Sequence, residues 1–80
     1  MQKIDIRLTL AENVKRFVNI VNKYDFEMDL RSGRHVVDAK SILGIFSLDL
    51  SRVITLEVEN ADSDPEKFKA LQADIQDFAA

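Results

Sequence analysis

Residues 37–50 read Val-Asp-Ala-Lys-Ser-Ile-Leu-Gly-Ile-Phe-Ser-Leu-Asp-Leu. The rest of the chain is interpreted as a scaffold that presents this segment. Ser41 stands directly before its apolar part. A serine in that place is a natural helix N-cap, because its hydroxyl accepts a hydrogen bond from an unpaired backbone N–H two or three residues later. An anion is also favoured at the start of a helix, so the same hydroxyl is a candidate for phosphorylation.

The turn after Ser41 carries more apolar side chains than one helix face can bury. Ile45 and Leu48 are three residues apart and are predicted to face a core. Ile42, Leu43 and Phe46 would then point partly outward, and contiguous apolar surface is typical of a partner-binding site. The alternative is a short helix that is buried on every side.

Length and composition narrow the class of protein. Eighty residues fit one domain that spans residues 1–80. This length is near the smallest at which a single hydrophobic core can stabilise a folded domain. The absence of cysteine excludes disulfides, and no apolar run approaches the ~18 residues of a membrane-spanning helix. Charges of both signs are interspersed, with a net charge of −3, so no basic surface for nucleic acid is visible. We therefore expect a cytoplasmic protein that binds neither membrane nor nucleic acid.

Hydrophobic periodicity divides the chain into seven elements. Ser32 and Gly33 supply the turn of a hairpin, and Asp64 is the predicted N-cap of a last helix with Pro65 at its first position. The predicted order is a strand over 3–10, a helix over 12–24, strands over 26–31 and 34–38, a short helix after residue 41, a strand over 53–59 and a helix over 65–78.

Each predicted strand has one apolar face, which favours an antiparallel sheet covered by helices on one side only. The predicted fold class is therefore α+β, with the helices packed on a single face of a four-stranded sheet. The expected core comprises Ile4, Ile6, Leu8, Val14, Phe17, Val18, Val21, Met28, Leu30, Ile54, Leu56, Phe68, Leu71 and Ile75.

Residues 39–48, small-Lys-Ser-Ile-Leu-Gly-Ile-Phe-Ser-Leu, resemble the regulatory serine segment of the HPr family, small phosphocarriers of the bacterial sugar phosphotransferase system. The resemblance covers nearly the whole chain and is nearest to the variant called catabolite-repression HPr. It implies an open-faced β-α-β-β-α-β-α sandwich with strand order 1-4-2-3. It also implies that Ser41 is phosphorylated by a dedicated serine kinase.

Three positions at the start of the first helix depart from the family in a way that changes the chemistry. HPr carries phosphate on a histidine at the start of its first helix, followed by an arginine and a proline. Counting back from Phe17 places Leu10 at the histidine, Glu12 at the arginine and Asn13 at the proline. Leucine has no nucleophilic atom, and a carboxylate repels a phosphoryl group. The resemblance therefore predicts a chain that is not a histidine phosphocarrier.

The only histidine, His35, is predicted at the start of the third strand, with Asp38 projecting to the opposite face. General acid-base catalysis needs a partner within hydrogen-bond reach, so we interpret His35 as an ordinary hairpin residue. No nucleophile-base pair, glycine-rich phosphate loop or metal-ligand cluster is present, and we expect no enzymatic activity, cofactor or metal.

Two functions of different classes follow from these patterns. In the first, a serine kinase of the HPr kinase type phosphorylates Ser41, and the product binds a transcriptional regulator of catabolite repression. In the second, the chain is a divergent HPr-fold interaction protein with another partner, and Ser41 is only a helix cap. The expected assembly is a monomer or a weak homodimer. The expected partner surface consists of Lys40, Ser41, Ile42, Leu43 and Phe46.

Overall fold

A computed structural model describes residues 1–80, and its four strands form one antiparallel sheet in the order β1-β4-β2-β3. This confirms the α+β class, the element order and the strand order implied by the resemblance. None of the helices is long and apolar enough to cross a membrane. The elements are β1 Gln2–Ile6, α1 Ala11–Val21, β2 Met28–Ser32, β3 His35–Asp38, α2 Ile42–Phe46, β4 Ile54–Val58 and α3 Pro65–Asp74, with single 3₁₀ turns at Ala61–Ser63 and Gln76–Phe78.

The core lies between the sheet and the helices. Leu56 of β4 stands opposite Ile4 of β1 on one side and Leu30 of β2 on the other, so alternate residues of the strands line one apolar face. Phe17 of α1 is fully buried there and meets Phe78 edge to face, with ring centroids 5.8 Å apart. Most of the expected core is buried, but Ile4 and Phe68 are only half-buried at its edge.

Both predicted helix caps are present. Ser41 precedes α2, and Asp64 precedes α3, where its Oδ1 accepts a hydrogen bond from the Lys67 backbone N–H at 3.1 Å. Pro65 occupies the first turn, where a backbone N–H would have no acceptor within the helix, so its absence costs no hydrogen bond. Local chemistry therefore fixes where these two helices begin.

The first strand is shorter than predicted and ends at Ile6, which pairs with Ile54, the first residue of β4. Beyond that pair β4 offers no further partner, and Arg7 donates its backbone N–H to the Phe78 carbonyl at 2.8 Å instead. Leu8 remains buried although it lies outside the strand. The chain then leaves the sheet and turns before α1 begins at Ala11.

Other predicted boundaries also shift, and β2 begins at Met28 rather than at residue 26. The first helix ends at Val21 rather than Tyr24, and α3 ends at Asp74, four residues before its predicted end, with a 3₁₀ turn following. Ser32 still belongs to β2, so the hairpin turn consists of Gly33 and Arg34. Gly33 has φ of +60°, which suits glycine at the first position of a tight hairpin turn.

The face of the sheet opposite the helices carries charged residues. Glu57 of β4 is nearly covered, with its side chain only 6% exposed, because Arg31 binds it through Nε at 3.1 Å and Nη2 at 3.3 Å. These hydrogen bonds hold the pKa of the Glu57 carboxyl below its usual range. A paired charge therefore occupies the middle of this open face.

Candidate functional site

Ser41 lies between β3 and α2 with an extended backbone, φ −104° and ψ 110°. Its Oγ accepts a hydrogen bond from the Gly44 backbone N–H at 3.1 Å, which confirms the predicted N-cap. The residue is half-buried, and the hydroxyl proton is not needed for the cap. Ser41 thus has one oxygen lone pair engaged and its O–H free.

The helix after Ser41 divides its apolar side chains between the core and the surface. Ile45 and Leu48 are buried, as predicted. The exposed fraction is 85% for Leu43, 43% for Phe46 and 39% for Ile42, so the alternative of a helix buried on every side is wrong. Ile42, Leu43 and Phe46 form an exposed apolar surface beside Ser41, which we call the α2 rim.

Gly44 allows α2 to lie close against β3. A Cβ atom at this position would stand 3.2 Å from the Val37 Cβ and 3.3 Å from the Ser41 Oγ. Both separations are tighter than ordinary van der Waals contact, so a larger residue would push the capping hydroxyl aside. The glycine therefore keeps the Ser41 side chain in its place.

Lys40 has a partner within the chain. Its Nζ donates to the Tyr24 carbonyl at 2.7 Å, just beyond the end of α1. The Tyr24 hydroxyl in turn donates to Asp74 at the end of α3, and this bond, with burial, raises the pKa of Tyr24 to about 12. No sequence pattern indicates these contacts, because 16 and 50 residues separate the partners. Lys40, a member of the expected partner surface, is thus tied through its Nζ to the segment that follows α1.

Leu10 is the residue that precedes α1, and its side chain is 55% exposed. The prediction that it continues the first strand is wrong, because β1 ends at Ile6 and the chain turns before the helix. No side chain caps α1, and Glu12 is exposed in its first turn. The start of this helix therefore carries an aliphatic group and a carboxylate. Neither side chain has a nitrogen atom that could be phosphorylated.

His35 is exposed at the first position of β3, next to the hairpin turn. Asp38 lies at the far end of the same strand and pairs with Asp29. The two side chains are thus not brought together, and the structure gives His35 no acid or base partner. No group of three or more His, Cys, Asp or Glu side chains is placed to hold a metal ion.

The chain is similar to known proteins over most of its length. A family model named PTS-HPr, described as the PTS HPr component phosphorylation site, matches residues 10–77. A crystal structure of HPr-C-His from Thermoanaerobacter tengcongensis is similar with 30% identity and a TM-score of 0.72, over 94% of this chain and 90% of that chain.

A phosphocarrier protein HPr from Bacillus anthracis str. Ames is also similar, with 28% identity and a TM-score of 0.65, over 91% of this chain and 92% of that chain. A comparison with curated proteins finds no match. The family model covers well over half of the 80 residues, and the sheet order agrees with it. The chain therefore belongs to the HPr family, the phosphocarrier proteins of the phosphotransferase system.

Proposed function

We propose that this member of the HPr family is a regulatory protein of the catabolite-repression HPr type. A serine kinase of the HPr kinase type phosphorylates Ser41, and the phosphorylated protein binds a transcriptional regulator of carbon catabolite repression. The observation that carries the proposal is the α2 rim, which leaves apolar surface exposed directly beside a capping serine. The regulator is expected to contact Lys40, Ser41, Ile42, Leu43 and Phe46.

The modification is an ordinary phosphoryl transfer. The Ser41 Oγ attacks the γ-phosphorus of ATP held by the kinase, the new Oγ–P bond replaces the bond to ADP, and the hydroxyl proton passes to a base of the kinase. The phosphate oxygens remain acceptors for the Gly44 N–H, which Oγ engages before the transfer. The cap is thus kept, and no large conformational change is required.

The phosphate acts mainly through the charge that it presents. It adds ~1.5–2 negative charges at neutral pH. A helix of five residues has only a small macrodipole with which to stabilise them, so the new charge remains available to a partner. An arginine of the regulator forms short, charge-assisted hydrogen bonds with such a group. Apolar burial on the α2 rim then adds affinity next to this contact.

The start of α1 supports a regulatory rather than a relay function. Leu10 occupies the position of the family's phosphohistidine, and Glu12 occupies that of its arginine. An exposed carboxylate at Glu12 also changes which regulator can bind, because the family's arginine contributes to that contact. We infer that the regulator of this chain offers a neutral or basic group opposite Glu12.

A kinase assay tests the proposal. The chain is incubated with ATP and a serine kinase of the HPr kinase type, and its intact mass is measured. We expect the wild type to gain one phosphate and Ser41→Ala to gain none. Ser47→Ala is a matched control, because Ser47 is exposed at the other end of α2, and it should be phosphorylated as the wild type is. An unmodified wild type, or a phosphate that persists in Ser41→Ala, would contradict the proposal.

The second candidate is an HPr-fold interaction protein that is never phosphorylated. The observation that favours it is the half-buried Ser41 hydroxyl, which already serves as a cap. In that case the kinase leaves the chain unmodified, while Leu43→Ser still weakens binding of the physiological partner. Loss of that binding without any phosphate would separate this candidate from the first.

A further inference from the structure

An open surface cavity of about 280 Å³ lies at the hairpin end of the sheet, and Ser41 does not line it. None of the lining residues belongs to a hydrophobic type, and their polar groups come from side chains and backbone of two loops. The lining residues are Ser32, Gly33, Arg34, His35, Asp49 and Arg52.

The topology brings two distant segments together here. The turn at Gly33 and Arg34 joins β2 to β3, and Arg31 at the end of β2 pairs with Thr55 at the start of β4. The loop that leads into β4 therefore arrives beside the hairpin, and it carries Arg52 into the same cavity. This places donors from two separate loops around one space.

The only carboxylate in the cavity is already satisfied. Asp49 Oδ1 accepts from the Ser51 backbone N–H at 3.1 Å and from the Ser51 hydroxyl at 2.6 Å, and Oδ2 lies 3.4 Å from the Arg52 Nε. The terminal N–H groups of Arg52 remain free in this arrangement. Arg34 and His35 make no ion pair or side-chain hydrogen bond within the chain, so the one carboxylate of the cavity is paired with Arg52 alone.

We propose that this cavity binds the phosphate group of a small phosphomonoester. Arg34 and Arg52 offer guanidinium forks, whose geometry matches phosphate oxygens, and His35 and Ser32 provide further donors. The cavity is close in size to small-molecule sites and is roomier than an anion alone requires. The chain as a whole has a net charge of −3, so the positive charge around this cavity is a local feature and not a property of the whole surface.

The test is an NMR titration of the isotope-labelled chain with glycerol 3-phosphate at constant ionic strength. We expect saturable shifts of the Gly33, Arg34 and His35 amides, weaker shifts of the same amides with inorganic phosphate, and none with glycerol. Arg34→Gln and Arg52→Gln should each weaken binding about tenfold, because each removes a charge-assisted contact. Retained dispersion of the amide spectrum shows that each variant is folded.

Lys23→Gln is the matched control, since Lys23 is exposed, lies outside the cavity and loses the same charge. It should bind within about twofold of the wild type, because it contributes only to long-range attraction. Equal weakening by Lys23→Gln would overturn the proposal, and so would shifts confined to other residues. Tighter binding of a phosphoserine peptide than of glycerol 3-phosphate at these amides would show that the ligand class is wrong.

Discussion

Phosphoenolpyruvate and the general relay enzyme of the phosphotransferase system are expected to leave this chain unmodified. The position before α1 carries Leu10, whose side chain has no atom that can attack phosphorus, and the exposed Glu12 repels an incoming phosphoryl group. Intact-mass measurement under non-acidic conditions checks this result, because phosphohistidine is labile to acid. The Bacillus anthracis phosphocarrier HPr, which is similar to this chain, serves as the positive control.

His35 makes the outcome unambiguous, because it is the only histidine of the chain. If an acid-labile phosphate did form, His35→Gln would abolish it. That pair of results would show that the chain retains a histidine relay through the hairpin, contrary to our proposal. We expect wild type and His35→Gln to be equally unreactive.

The same truncation at two phenylalanines is expected to have very different effects on stability. Phe17 is fully buried and packs edge to face on Phe78, so Phe17→Ala should lower the free energy of unfolding by about 3–5 kcal/mol. Phe46 is 43% exposed, so Phe46→Ala should lower it by only about 1 kcal/mol, in proportion to the area it buries. Urea denaturation of the two variants and the wild type measures both values.

The comparison tests whether the α2 rim is surface or core. A loss for Phe46→Ala as large as that for Phe17→Ala would mean that Phe46 holds the fold together. The α2 rim would then have a packing function, and its use in binding a regulator would lose its main support. A small loss for Phe46→Ala leaves the ring available to a partner.

Features set by local chemistry could be predicted from the sequence. Ser41 and Asp64 cap their helices as predicted, because an N-cap depends on a side chain and an N–H only three residues apart. The strands follow from a period of two, and the division of α2 into buried Ile45 and exposed Leu43 follows from helical spacing. These inferences need no knowledge of distant contacts.

Features set by contacts between distant segments could not be predicted. Lys40 is tied to the Tyr24 carbonyl, and Arg34 and Arg52 share a cavity, although periodicity links neither pair. Leu10 was predicted to extend a strand because its alternation with polar neighbours continues past the end of β1. The strand ends earlier because β4 has no residue left to pair with it, a fact of register that one strand does not reveal.

Phosphorylated Ser41 and the α2 rim are proposed to bind a regulator together. The most direct measurement is the affinity of a transcriptional regulator of catabolite repression for three forms of the chain: unmodified, phosphorylated on Ser41, and phosphorylated Leu43→Ser. Leu43 is the most exposed residue of the α2 rim, so its replacement should leave the fold and the phosphorylation intact. We predict binding of the phosphorylated wild type and binding at least about tenfold weaker for each of the other two forms, because a residue that dominates an interface costs at least ~2 kcal/mol when it is lost and ~1.4 kcal/mol corresponds to tenfold. Equal binding of all three forms would contradict the claim.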